Sequence, residues 1–389
     1  MRSFLHIASA RLAVLAVAAA TAAATIGVTA PAAHADTAPV ELPALVAAGP
    51  NFNQDLRTEV DYWTLAKMAS VGLNDDGQDA TEPQSGWDDL STPWSVDGQG
   101  LISRTAGKLF FVQKDVDSGA LIPDACSADV VTSANQSVVV TAAHCVAVHT
   151  PFDLGAPYGM GNTLVTNMVF IPGYNGAALP RGTTSTALPG TDIAPLGVWG
   201  ATRAWITSTW SGSADFALGH DMAAVLVANP DDPRPIAQVT GAQPIAFNQP
   251  QNQYEYMFGY PQTNERNWYW PDNNNGVKAS YGEPQNLWRG FDGRTLTVTR
   301  GQSQPDAVYA NDVLNTAQAP GCSGGPWLQN FDPATGSGVQ TGVNSRYQNP
   351  AQGPSPFGWL NWLQGPQMEA THFGDEEQAV WQVAQTSTL

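Results

Sequence analysis

Two short stretches of this sequence combine residue types suited to acyl transfer. Val138-Val139-Val140-Thr141-Ala142-Ala143-His144-Cys145 is an apolar run that narrows to alanines and ends in a histidine. A strand of that composition puts the imidazole at its end, where a rigid scaffold aims it into a cleft. Gly321-Cys322-Ser323-Gly324-Gly325-Pro326-Trp327 sets a serine among glycines. Glycine permits a tight turn that a substrate can approach closely. The N–H groups of such a turn converge on one point, as a tetrahedral oxyanion requires. A serine hydroxyl is a weak nucleophile at its own pKa and needs a base within hydrogen-bond reach, which histidine supplies. Singly, a histidine after an apolar strand is ordinary packing and a serine among glycines an ordinary loop; only their combination points to catalysis.

Together the two stretches resemble the trypsin/chymotrypsin-like serine peptidases: Thr-Ala-Ala-His-Cys around His144 and Gly-x-Ser-Gly-Gly-Pro around Ser323, in that family's chain order of His, Asp, Ser. The resemblance covers about Arg104 to Leu389 and is closest to bacterial secreted members, including relatives of glutamyl endopeptidases. Asp215 and Asp221 both fit the family's Asp-x-Ala-aliphatic pattern. After Asp221 the apolar run continues through Ala228, whereas after Asp215 it breaks at Gly219-His220-Asp221, so Asp221 is the expected third member. The resemblance implies Ser323 as nucleophile, His144 as general base and then acid, and Asp221 as the group that fixes the imidazole tautomer. The N–H groups of Gly321 and Ser323 would hold the oxyanion. It also implies a disulfide between Cys145 and Cys126.

Cys322 departs from the pattern. Animal digestive members hold an aspartate there, paired with a newly freed N-terminal amine. A cysteine cannot make that ion pair, and no Ile-Val-Gly-Gly start lies near Arg104. Cys322 is expected to be a buried free thiol, with an intermolecular disulfide or a redox role as alternatives. For the specificity pocket, the family's base position is Ala317, six residues before Ser323, and carries no carboxylate to attract Arg or Lys. In Gly342-Val343-Asn344 an asparagine fills the slot where glutamyl-specific relatives hold histidine. A neutral residue before the cleaved bond is therefore expected.

These residues need elements to position them. Lys108–Val112, Ala128–Val131, Val138–Thr141, Leu164–Ile171, Met222–Ala228, Glu255–Gly259, Leu296–Thr299 and Gly338–Val343 read as short strands between Gly/Pro/Asn clusters. No amphipathic crossover helix separates them, which disfavours a parallel sheet. The expected fold is all-β, two antiparallel six-stranded barrels of about 104–235 and 236–389, closed by a helix over Asp375–Gln385 whose Asp375, Glu376 and Glu377 suit its dipole. The stretch from Pro151 to Trp210, rich in Gly, Pro and Thr, is expected to form surface loops around the cleft. His149 and His220 are expected on the surface or in loops, and His372 in the approach to the final helix. The aromatics from Tyr254 to Trp288 read as second-barrel core and covered loops, or as a platform for sugar or peptide.

The first 35 residues form a basic start (Arg2, Arg11), an apolar Ala/Leu/Val middle and Ala33-His34-Ala35, the pattern of a cleaved secretory signal. Residues 36–103 read as a propeptide or N-terminal extension, with one helical patch at Gln54–Ser70 and an acidic run (Asp75, Asp76, Asp79, then Asp88, Asp89) whose spacing is not a calcium loop. A net charge of −18 and a pI near 4.4 argue against nucleic acid as a partner. With three cysteines, no C-x-x-C and no H-E-x-x-H, neither a metal nor a cofactor is expected. The expected protein is a secreted, extracellular serine endopeptidase acting on protein or peptide, off the membrane once its signal is removed, and taken as a monomer. A catalytically silent binding protein or an esterase on the same scaffold are the rivals.

Overall fold

Val138–Thr141 and Ala223–Ala228 are buried at every position. Strands apolar on both faces must lie inside a sheet covered on both sides, and these two pair with each other, Val139 opposite Val225. The computed structural model describes residues 38–71, 91–94, 100–114, 121–148, 163–212, 219–262, 293–306, 309, 311–316, 318, 321–348 and 367–389. The leader, the acidic run, His149, Asp215, the aromatics of 268–288 and Ala317 lie outside the described residues.

In chain order the strands are β1 (Val40–Glu41), β2 (Thr92–Pro93), β3 (Ala106–Lys114), β4 (Leu121–Val130), β5 (Val138–Thr141), β6 (Ala147–Val148), β7 (Thr163–Leu164), β8 (Thr166–Pro172), β9 (Trp199–Ile206), β10 (Ala223–Ala228), β11 (Tyr254–Gly259), β12 (Thr297–Gln302), β13 (Gln304–Pro305), β14 (Asp312–Asn315), β15 (Pro326–Asp332), β16 (Ser337–Gln348) and β17 (Gln367–His372). The first sheet runs β1-β9-β10-β5-β4-β3-β8, and β8 also pairs with β9, so six strands close into an antiparallel barrel. The second sheet runs β13-β14-β17-β16-β15-β11-β12-β2. Its six longer strands curl so that β12 and the end of β14 meet through buried hydroxyls, Thr299 Oγ1 to Thr316 Oγ1 at 2.8 Å, with Ser91 Oγ 2.8 Å from Thr299 Oγ1. The first of the two expected barrels is thus present and closed by a ladder, whereas the second is a curled sheet whose β12 and β14 are joined by side chains and not by a strand pairing among the described residues.

Alternation along β10 sorts its residues between two cores. Ala223, Val225 and Val227 face the first barrel's interior with Leu109, Cys126 and Val139. Ala224 and Leu226 face outward, beneath Phe373 and, from the C-terminal helix Asp375–Thr386, Val380 and Ala384. That helix is capped by Glu377, whose Oε2 accepts the Gly374 N–H at 2.8 Å.

β9 lies in the stretch expected to be surface loops, yet it is a core strand of the first barrel. Gly200, Thr202 and Arg203 break its apolar pattern, and each break has a cause in another part of the chain. A Cβ on Gly200 would lie 2.5 Å from Leu56 Cδ1, Thr202 Oγ1 donates to Leu226 O, and the Arg203 guanidinium stacks 4.7 Å over Trp205 while pairing with Glu41.

The described part of 36–103 packs into both sheets. β1 extends the edge of β9, and β2 pairs with β12. The helix Phe52–Asp61 lays Leu56 and Val60 inward, and Trp63 is fully buried, its Nε1–H donating to Asn167 O at 2.5 Å. Trp94 stands edge-on to Phe258, ring centres 5.4 Å apart.

Asp129 on β4 is fully buried, and burial pushes its carboxyl up to about 8. A carboxyl raised in the folded state is protonated there while the unfolded chain has ionised. Stability therefore falls as pH rises from about 4 to about 8. Asp129→Asn should flatten that slope, raising the melting temperature more at pH 8 than at pH 4.5. Thermal scans at the two pH values measure this, and equal shifts would place the ionisation elsewhere.

Candidate active site

β5 ends at Thr141, and the chain turns through one 3-10 turn, Ala143–Cys145, that carries His144. The bond Cys126–Cys145, spanning 19 residues, ties this turn to β4 and stabilises it by about 3 kcal/mol in the loop-closure account. His144 keeps 31% of its side chain exposed.

Asp221 precedes β10 and is 1% exposed. Its Oδ1 accepts the backbone N–H of His144 at 2.9 Å, and its Oδ2 lies 2.7 Å from His144 Nδ1. Ser345 Oγ donates to the same Oδ2 at 2.7 Å, and the Asp221 N–H donates to Thr371 Oγ1 at 3.1 Å. Burial alone would raise this carboxyl, but the charge and hydrogen bonds of His144, with the Ser345 hydroxyl, hold it below the ordinary value. Burial would likewise lower the His144 imidazole; the Asp221 carboxylate outweighs it and holds the ring above the ordinary histidine value.

The loop 321–325 closes against the end of β5. Gly324 has φ +78°, and a Cβ there would lie 2.0 Å from Thr141 Oγ1 and 2.7 Å from Ala142 N, so only glycine permits the approach. Gly321, at φ +91°, would clash in the same way with Tyr260 O at 2.9 Å. Ser127 N–H donates to Ser323 O at 2.7 Å and Ser127 Oγ to Gly321 O at 2.9 Å, while Gly324 N–H donates to Asn344 O at 2.7 Å. These contacts set the loop of the half-buried Ser323 against the end of β5, two residues before the turn that carries His144.

Cys322 is a buried free cysteine whose thiol burial pushes up to about 12. Its protonated sulfur is no nucleophile. Asn344, expected in the specificity pocket, is 0% exposed. Its Nδ2 donates to Cys322 O (2.8 Å) and Phe258 O (2.9 Å), and its Oδ1 accepts from Trp327 Nε1 (2.6 Å), so the amide braces the Ser323 loop and presents nothing to a cleft. Cys126, His144 and Cys145 offer ligand atoms within 4.8 Å of one another, but the two sulfurs are bonded together and leave no thiolate for a metal.

His220 lies in the irregular segment before β10, as expected of a loop residue, and is half-buried, its Nδ1 2.8 Å from Glu377 Oε1. His372 meets Asp312 Oδ2 at 2.7 Å through Nδ1 and Gln249 O at 2.9 Å through Nε2. Burial would lower this imidazole, but the Asp312 carboxylate and the Gln249 carbonyl hold it above the ordinary histidine value. Ser345 is the residue sequence reasoning missed. Pairing between β16 and β17 shifts register between Asn344 and Arg346, and that bulge turns the Ser345 hydroxyl onto Asp221.

No family model matches the chain, and no curated relative matches it. Solved structures do. A crystal structure of the protease Anisep from Arthrobacter nicotinovorans superposes with a TM-score of 0.50 at 23% identity, over 74% of this chain and 99% of that one. A thermostable serine protease, AL20, from an extremophilic microorganism superposes with a TM-score of 0.50 at 25% identity, again over 74% and 99%. The fold is that of the trypsin/chymotrypsin-like serine peptidases. His144 and Asp221 come with the first sheet, while Ser323 comes with the second. Among the described residues no helix is long and apolar enough to cross a membrane.

Proposed function

We propose that this protein is a secreted serine endopeptidase with His144, Asp221 and Ser323 as its catalytic residues. The observation that carries the reading is the Asp221 carboxylate bonded to both the backbone N–H and Nδ1 of His144, beside the glycine-clamped Ser323 loop. With its proton on Nδ1 toward Asp221, His144 offers Nε2 as the base. Ser323 Oγ attacks the substrate carbonyl carbon as His144 takes its proton. The tetrahedral oxyanion sits against the N–H groups of Gly321 and Ser323, each such donor worth about 3 kcal/mol in the transition state. His144 then protonates the departing amine, the C–N bond breaks, and an acyl group remains on Ser323. Water, deprotonated by His144, attacks the ester and releases the carboxylic acid with Ser323 restored.

A fluorophosphonate probe should label the wild-type protein once per chain and leave Ser323→Ala unlabelled, with casein cleaved only by the former. Labelling that persists in Ser323→Ala would move the nucleophile elsewhere. Turnover of esters without peptides would make the enzyme an esterase, and a folded protein that neither labels nor cleaves would favour a binding role.

A further inference from the structure

The strand that carries Ser345 also holds an arginine fixed in place by groups outside the catalytic set. β15 pairs with β16 only as far as Pro326 opposite Val343, whereas β17 pairs with it to Gln348. Beyond Asn344 one edge of β16 thus has no strand partner among the described residues, next to the Ser323 loop that Asn344 braces. An extended peptide adds to such an edge through main-chain hydrogen bonds.

Arg346 stands on that stretch. Its Nε lies 2.5 Å from Glu369 Oε2, and Glu369 is 0% exposed, its Oε1 accepting from Asn311 Nδ2 at 2.8 Å. The guanidinium carbon lies 4.7 Å over the Tyr309 ring. Tyr309 O in turn is 3.2 Å from where a Gly219 Cβ would be, two residues before Asp221. Arg346 keeps 29% of its side chain exposed. A buried carboxylate on one side and an aromatic face on another fix the plane of the guanidinium, so its remaining N–H groups lose little entropy on meeting an anion.

Resting on the peptidase reading above, we propose that Arg346 selects substrates with a carboxylate side chain in the acyl half, about two to four residues before the cleaved bond. The acyl half is the one that stays attached to Ser323 after the amine departs, and β16 is the strand that would hold it. The residue at the cut itself is not addressed by this contact.

The test compares two quenched peptides that differ only by Glu or Gln at each of those positions. Wild type should favour the Glu peptide at one position by about tenfold in kcat/KM. Raising the salt concentration should shrink that ratio. Arg346→Gln alone would leave Glu369 buried without its cation, so the double variant Arg346→Gln/Glu369→Gln is the informative one, and its ratio should fall to about one. Arg346→Lys, which keeps the charge but not the planar fork, should retain part of the preference. A wild-type ratio near one, or the same ratio in the double variant, overturns the assignment. Wild-type protein that is folded yet neither cleaves nor labels with fluorophosphonate sinks the peptidase reading instead.

Discussion

Asp221→Asn should lower kcat by about 10⁴-fold while leaving the fold intact. The carboxylate accepts three hydrogen bonds, from the His144 N–H, from His144 Nδ1 and from Ser345 Oγ. An asparagine has one acceptor oxygen and an NH2 group, so at least one of these donors would face another donor. If the amide NH2 turns to Nδ1, the imidazole takes the other tautomer, with its proton on the nitrogen that should serve as base. The charge disappears as well. In the wild type Asp221 holds the His144 pKa above the ordinary histidine value, so the neutral, basic form accumulates at higher pH than for a free histidine. In Asp221→Asn the histidine loses that support, and the acid limb of kcat/KM should move to lower pH even as the plateau collapses. Ser345→Ala removes one hydrogen bond and keeps the charge, so its loss should be nearer tenfold with a small shift of the limb. A pH profile of ester hydrolysis, with circular dichroism to confirm folding, separates these effects; an unshifted limb in Asp221→Asn would mean that the carboxylate does not set the His144 pKa.

Trp63→Ala should cost about 3–5 kcal/mol of stability, a fall in melting temperature on the order of 10 °C, with little change in kcat of the folded fraction. The side chain is fully buried, its ring centre 5.2 Å from that of Phe110, and its N–H is taken by Asn167 O. It joins the segment 38–71 to a core shared by Phe110, Val169 and Ile171 of the first sheet and Phe258 and Leu328 of the second. Truncation leaves a cavity and removes the donor to Asn167 O. None of these atoms touches His144, Asp221 or Ser323, which is why stability and not turnover should respond. Thermal unfolding by circular dichroism measures the change. A shift under about 2 °C would mean that the segment contributes little to the core, as expected of a propeptide awaiting release.

The candidate catalytic residues were legible because each needs a local sequence. The approach of Gly324 to Thr141 and Ala142 demands a glycine, and the strand after Asp221 is buried on both faces and so is written as an unbroken apolar run. β5 and β10 were visible for the same reason. β9 was not, because its glycine, threonine and arginine answer to Leu56, Leu226 and Glu41, residues that are distant in the chain.

By itself, then, the sequence pointed to the residue types and chain order of the candidate site, and it determined the all-β class, the Cys126–Cys145 pairing implied by the resemblance, and the final helix. Only the tertiary structure decided which of the neighbouring residues Asn344, Ser345 and Arg346 does what. A strand shows alternate residues to opposite faces, so a single bulge there reassigns every side chain after it, and bulges arise from pairing between distant segments. It also decided that residues 38–71 belong to the folded body, because a helix and a tryptophan become core only where another part of the molecule offers an apolar face to cover.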